Sequence, residues 1–183
     1  MLQLRTITDS GHLQSVRQIY TTSFPAAEQR PWSRIVAPTD SAGPQLLGIY
    51  DTAVSDEPLG LVTLWLFDTF NYIEHFAIDP RRRSGGIGGV TLGLIADTYP
   101  HPTVVEVEKP DEGPEAVRRI GFYERNGYAV LSEDYIQPPY SDGLPSVPLT
   151  LMMNPGTGGA PLPDADHVAH TLHTRVYLQP QDK

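Results

Sequence analysis

The chain contains no cysteine. Disulfides, thiolate metal sites and a cysteine nucleophile are therefore excluded at once. Basic residues are also scarce, with 13 Lys+Arg against 22 Asp+Glu and a formal net charge of −9. A field of that sign argues against nucleic-acid binding, where positive charge supplies most of the affinity, and it suits a cationic small partner. Long apolar runs are missing as well. The longest, LVTLWLF at residues 61–67, falls far short of the ~20 residues a membrane-spanning helix needs. The N-terminal stretch MLQLRTITDS lacks the apolar core and cleavage site of a signal peptide, so a cytoplasmic protein without a membrane partner is expected.

What the chain has in excess is proline, 18 of 183 residues, about twice the usual ~5%. Many turns are pinned by it. A chain of this length buries roughly 70% of its unfolded surface, enough for one domain with a genuine core. No internal repeat is present.

LQLRTIT alternates apolar and polar residues and predicts a strand. Asp9 or Ser10 can cap a following helix in which Leu13, Val16 and Tyr20 recur at helical spacing. The two prolines of SFPAAEQRPWSRI end it. PQLLGIYD, PLGLVTLWLFD and NYIEHFAID predict three further strands, the second apolar on both faces and so central in the sheet. Residues 87–99 predict a helix, PTVVEVEKP a strand, and PEAVRRIGFYERNGY a helix with Pro114 in its first turn and Gly127 at its end. Two strands flank QPPYSDGLP. Beyond Met153 the composition turns to NPGTGGAPLP, so residues 1–153 read as the domain and 154–183 as a linker with a short helix packing on it. The order implies an α/β domain around a mixed sheet.

Between the third of those strands and the next helix stands RRRSGGIGG, residues 81–89, three arginines against four glycines. Glycines there let backbone N–H groups approach a ligand, and a helix N-terminus adds about half a positive charge, so the turn suits an anionic group such as phosphate. It has no lysine at the triphosphate P-loop position. Thr91 stands where a dinucleotide fingerprint begun at Gly86 would need its third glycine.

The pattern that does fit is Arg-x-x-Gly-x-Gly, formed by Arg83, Gly86 and Gly88, after AIDP and opening a helix. With RRIGFYERNGY at residues 118–128, it resembles the GNAT superfamily of acyl-CoA-dependent N-acetyltransferases. The resemblance spans about residues 2–153. A looser likeness to a bacterial subgroup without an assigned acceptor rests on SFPAAEQR, EVEKP and QPPY. The family's fold is implied: a mixed, mostly antiparallel central sheet flanked by helices on both faces. One departure is Ala116, where many relatives carry an asparagine touching the pantetheine arm.

The resemblance implies acetyl-CoA as co-substrate, its arm bordered by Phe76, Ala77 and Ile78. Arg83, Ser84, Gly85, Gly86, Ile87, Gly88 and Gly89 would hold its pyrophosphate, and backbone N–H groups near Phe76 or Ala77 would polarise the thioester carbonyl. Transfer to an amine needs a base, because alkylammonium groups titrate near 10. Glu74 is the leading candidate: on a regular strand it shares a face with Tyr72, Phe76 and Ile78, where an apolar stripe would raise its proton affinity. The alternative is an edge glutamate in water or in an ion pair. Glu106 and Glu108 share one face of the neighbouring strand, as a second base, an anionic wall for a cationic acceptor, or a solvated strand end. Tyr123 is the candidate to hydrogen-bond the departing CoA thiolate and return its proton. Trp32, Tyr135 and Tyr140 are candidate acceptor walls, or loop packing. His167, His170 and His173 drift around a helix by about 60° per step, so no metal is expected. These residues imply direct acetyl transfer in a ternary complex to a primary amine of a small, cationic acceptor. A protein lysine or N-terminal amine, and a non-catalytic acyl-CoA-binding module, are the rival readings. A homodimer is among the expected states.

Overall fold

The computed structural model describes residues 1–36, 43–83 and 85–178. Strand β1 (Leu2–Thr6) leads into α1 (Ser10–Ser23), which Asp9 caps by accepting hydrogen bonds from the amides of Gly11 and His12. A 3₁₀ turn (Ala26–Glu28) and the short α2 (Trp32–Val36) follow. Next come β2 (Gln45–Asp51), β3 (Gly60–Leu66), β4 (Asn71–Ile78), α3 (Ile87–Thr98), β5 (Thr103–Glu108) and α4 (Pro114–Arg125). Strands β6 (Ala129–Gln137) and β7 (Val147–Asn154) precede α5 (Ala165–Thr171), which continues as a π-helical turn over Leu172–Val176. Pro114 occupies the first turn of α4 and Gly127 follows its end at φ 81°, where only glycine is unstrained.

The strands form one seven-stranded sheet in the order β1-β2-β3-β4-β5-β7-β6, antiparallel throughout except between β4 and β5. This is the expected α/β architecture. Helices α3 and α4 cover one face, packing on Leu47, Val62, Ile73, Val105 and Met152. On the other face, α1 and α2 enclose a cluster around Tyr20 and Leu61, while Val168, Leu172, Val176 and Tyr177 of the C-terminal segment close over Trp65, Tyr72, Val104 and Leu151. That segment therefore completes the core. No helix among the described residues is long and apolar enough to cross a membrane.

Two irregularities set up the site. The parallel pair β4 and β5 stays in register for only Asn71–Thr103, Tyr72–Val104 and Ile73–Val105. Beyond it, β4 remains paired with β3 as far as Ile78, and β5 with β7 as far as Glu108, so the two strands diverge and leave a wedge between them. The second irregularity is a β-bulge: Thr63 pairs His75 and Leu64 pairs Ile73, which leaves Glu74 as the extra residue.

The bulge corrects the expected face of Glu74. On a regular strand it would lie with Phe76 and Ile78, but the extra residue flips the alternation. Phe76 and Ile78 pack with Ile73 beneath α3 and α4, whereas Glu74 bonds to Trp65 on the Tyr72 side.

Candidate active site

The wedge between β4 and β5 opens into a cleft of about 420 Å³. Phe76, Ala77 and Ile78 of β4 line one wall, Phe122 and Tyr123 of α4 another, and Gly86, Ile87, Gly88 and Gly89 its mouth. Helix α3 begins at Ile87 behind Gly86, whose φ of 76° is left-handed, as is the 77° of Gly85. A Cβ at either would point into open space, so conformation rather than crowding demands glycine there. Gly88 differs, because its Cβ would meet the Phe122 ring at 3.0 Å. Gly85 stands in the turn without lining the cleft, and Ser84 lies outside the described residues.

The three loop arginines part ways. Arg81 folds back onto Asp79 through its Nη2 at 2.7 Å. Arg82 lines a separate cavity with it. Arg83 alone of the three lines the cleft, its Nε donating to the Ile78 carbonyl at 3.1 Å. Arg118 and Arg119 of α4 add positive charge that sequence reasoning missed. The helix N-terminus, the loop amides and the Arg83 and Arg118 guanidinium groups suit this end of the cleft to a diphosphate, whereas Arg119 lies toward the inner end.

Tyr123 sits at the inner end, 7% exposed, with its ring edge-on to Phe122 and Tyr128. Burial pushes its phenol up to about 12, so it is a hydroxyl at neutral pH.

Past Phe24 and Arg119, which line both, the cleft meets a recess of about 50 Å³. Four carboxylates surround it: Glu28, Glu74, Glu106 and Glu108. Gln137, Tyr140, His75 and Arg119 add to its polar lining. The four do not share one chemistry. Glu74 has a fully buried side chain, and both its oxygens are taken: Oε1 accepts from Arg30 Nε at 2.7 Å and the Tyr140 hydroxyl at 2.9 Å, Oε2 from Trp65 Nε1 at 2.8 Å. Burial alone would raise its proton affinity, but the Arg30 guanidinium and the Trp65 bond outweigh it and hold the carboxylate below its ordinary value. The expectation of a raised, proton-accepting Glu74 is thereby corrected. It is an ionised anchor, and its partner Arg30, 44 residues away in sequence, decides that.

Glu106 has the property expected of Glu74. Burial pushes it up to about 7, against hydroxyls of Tyr135, Tyr177 and Tyr72 that pull it down, while the Glu74 charge adds to the rise. Its Oε2 accepts from the Tyr177 hydroxyl at 2.8 Å. Its buried Oε1 has no hydrogen-bond partner among the described residues, nor has the Tyr135 hydroxyl, which acts on the carboxylate from outside normal hydrogen-bond geometry. Glu108 pairs with Arg119. Glu28 is raised by burial and by the Glu108 charge.

His75 also borders the recess, but both ring nitrogens are engaged, Nδ1 with Thr63 Oγ1 at 3.0 Å and Nε2 with the Glu28 carbonyl at 3.0 Å. A carbonyl only accepts, so the network assigns the proton to Nε2. Burial holds the ring neutral.

Of the expected acceptor walls, Tyr140 and Glu108 line the recess, and Tyr135 packs behind Glu106 in the core. Trp32 does neither. It packs on Tyr20 with ring centroids 5.6 Å apart, because α2 turns it onto the α1 core rather than toward the wedge. His167 and His173 bond to Thr69 Oγ1 and the Ile136 carbonyl. Sequence reasoning passed over Arg30 and Glu28, although both stand within four residues of Trp32, a candidate acceptor wall. It had no signal for Tyr177 or Gln137.

Comparison with known proteins agrees with this geometry. The model of the "Acetyltransferase (GNAT) family" matches residues 13–128. A structure from Bacteroides thetaiotaomicron, assigned as a GNAT-family acetyltransferase, is 36% identical, with 96% of this chain and 98% of that one covered and a TM-score of 0.84. A phosphinothricin acetyltransferase from Sinorhizobium meliloti, solved with acetyl-CoA, shares the fold at 14% identity, with 90% of this chain and 94% of that one covered and a TM-score of 0.60. An Escherichia coli N-acetyltransferase acting on an alanine of a ribosomal protein does so at 14% identity, with 87% and 97% covered and a TM-score of 0.61. Comparison with curated protein sequences yields no significant match. The family model over residues 13–128 and the structure 36% identical over nearly the whole chain show that the chain belongs to the GNAT family and is an acetyl-CoA-dependent N-acetyltransferase.

Proposed function

We propose that the acceptor is a small cationic primary amine, acetylated by direct attack in a ternary complex with Glu106 as the general base. The observation that carries this reading is the recess itself: four carboxylates around about 50 Å³, one of them held near 7 with an unpartnered oxygen. Such a space accepts the unhindered end of an alkylammonium and little more. The negative wall attracts it, and a base near 7 combines ionisation at neutral pH with useful proton affinity.

The steps follow from the side chains. The acceptor's ammonium loses a proton to Glu106, and the free amine nitrogen attacks the thioester carbonyl carbon. Between Glu74 and Ile78, the edge of β4 facing β5 has no strand partner among the described residues, so its backbone N–H groups are available to the developing oxyanion. Collapse forms the amide and breaks the C–S bond, and the acylated nitrogen gives up its surplus proton to the departing sulfur, which leaves as the thiol. Tyr123 hydrogen-bonds the departing thiolate. A phenol at about 12 is a weaker acid than a thiol near 8.5, so Tyr123 stabilises that charge rather than surrendering its proton, which refines the role expected from sequence. The chain has no cysteine to carry an acyl intermediate.

Thiol release from acetyl-CoA across polyamines, amino acids, aminoglycosides and peptides tests the reading. Turnover should concentrate on di- and polycationic amines, with kcat/KM falling as salt rises. Peptides as the best acceptors would overturn the small-acceptor assignment. A stoichiometric burst of CoA without amine would overturn the ternary complex.

A further inference from the structure

The strongest unassigned feature lies at the far end of the chain, beyond residue 128 where the family match stops. After α5 the helix widens into a π-helical turn, with the Tyr177 amide bonded to the Leu172 carbonyl at 3.0 Å. In an unbroken α-helix a residue five places on would face about 140° away. The wider i→i+5 turn brings Tyr177 back to the side of Leu172, so both face the sheet.

Two contacts result. The Tyr177 hydroxyl, on a side chain buried against Tyr140 and Tyr72, donates to Glu106 Oε2 at 2.8 Å. The Val176 carbonyl, one residue earlier, accepts from Arg30 Nη2 at 2.7 Å, and Arg30 Nε holds Glu74. A single turn of the tail thus touches both buried glutamates, one directly and one through an arginine.

We propose that the C-terminal π-turn is a working part of the active site, with Tyr177 as the positioning residue that orients Glu106 and sets its proton affinity through the hydroxyl–carboxylate bond. This inference rests on Glu106 being the base. An ionised carboxylate only accepts, so Tyr177 must donate to it, leaving the Tyr72 hydroxyl, 3.2 Å away, to donate to Tyr177. A bond made to the charged form favours that form and opposes the upward push of burial. Aiming Oε2 at Tyr177 also leaves Oε1 as the oxygen free for the substrate proton. The other titratable or charged groups around Glu106 are Glu74 and His75 of β4, Tyr135 of β6, Glu108 of β5, Arg119 of α4, Glu28, Tyr140 and Arg30. None of the carboxylates can substitute for a neutral donor.

The experiment compares the full chain with Tyr177→Phe and Glu106→Gln, measuring kcat/KM for the best amine against pH and KM for acetyl-CoA. Tyr177→Phe keeps the ring and its packing. Its acid limb should move up by about one pH unit, the scale of one hydrogen bond to a charged group. KM for acetyl-CoA should stay unchanged, and Glu106→Gln should lose the limb altogether. If Glu106→Gln loses the limb while Tyr177→Phe keeps that of the parent, the tail is packing only and the inference fails alone. If Glu106→Gln retains the parental limb, the base is elsewhere and both readings fail. Should Tyr177→Phe not fold, Tyr72→Phe gives the second reading: a smaller shift in the same direction supports the proposal, and an unmoved limb overturns it.

Discussion

Replacing Glu106 by glutamine should raise stability and destroy activity, and the two effects should share one pH dependence. Burial raises this carboxyl from 4.5 to about 7. Between those values the native state keeps a proton that the unfolded chain releases, so native stability falls as pH climbs from about 4.5 through about 7 and levels off above. A difference of roughly two and a half pH units corresponds to about 3 kcal/mol of stability withheld at pH 8. Glutamine has no proton to lose and accepts the Tyr177 bond through its amide oxygen. The melting temperature of Glu106→Gln should therefore gain on the parent by roughly 5–10 °C between pH 5 and pH 8, since part of the loss falls below pH 5, at about 2–4 °C per kcal/mol for a chain of this size. Over the same interval kcat/KM should fall by about 10²–10⁴, the usual share of a general base. Parallel thermal melts and thiol-release rates across pH decide the matter. A melting difference that stays constant from pH 5 to 8 would mean that Glu106 titrates as an ordinary solvated carboxylate, and the reasoning from burial would be wrong.

Arg30→Met should destabilise the fold by about 3–5 kcal/mol in urea titrations, because it strands a buried carboxylate whose partner is only 5% exposed. Adding Glu74→Gln should recover more than half of that loss; a double variant no better than the single one would show that Arg30 acts through packing. Tyr123→Phe should lower kcat by about 10–100-fold, the worth of one hydrogen bond to a charged group, while leaving KM for acetyl-CoA and the acid limb in place. An unchanged kcat would remove Tyr123 from the reaction.

Such instability at the site follows from its construction. A carboxylate useful as a base near neutral pH must be partly desolvated, and that desolvation costs stability whenever it ionises. The arrangement also explains why Glu74, equally buried, cannot take the role. Arg30 lies within bonding distance, and a nearby guanidinium favours ionisation more than burial opposes it.

The glycine turn at the mouth of the cleft was legible in the sequence because it depends on near neighbours. Gly86 adopts a backbone angle that side chains disfavour, Pro114 and Gly127 bracket a helix by their own sterics, and Glu106 and Glu108 share a face because strands alternate with period two. Which glutamate has its proton affinity raised was not legible. The bulge at Glu74 depends on how β3 pairs with β4, Arg30 arrives from 44 residues away and Tyr177 from 71 residues beyond Glu106. Backbone conformation is a local property, settled within a few residues by sterics and periodicity. The proton affinity of a carboxylate depends on everything within a few ångströms, and only the folded chain assembles those neighbours.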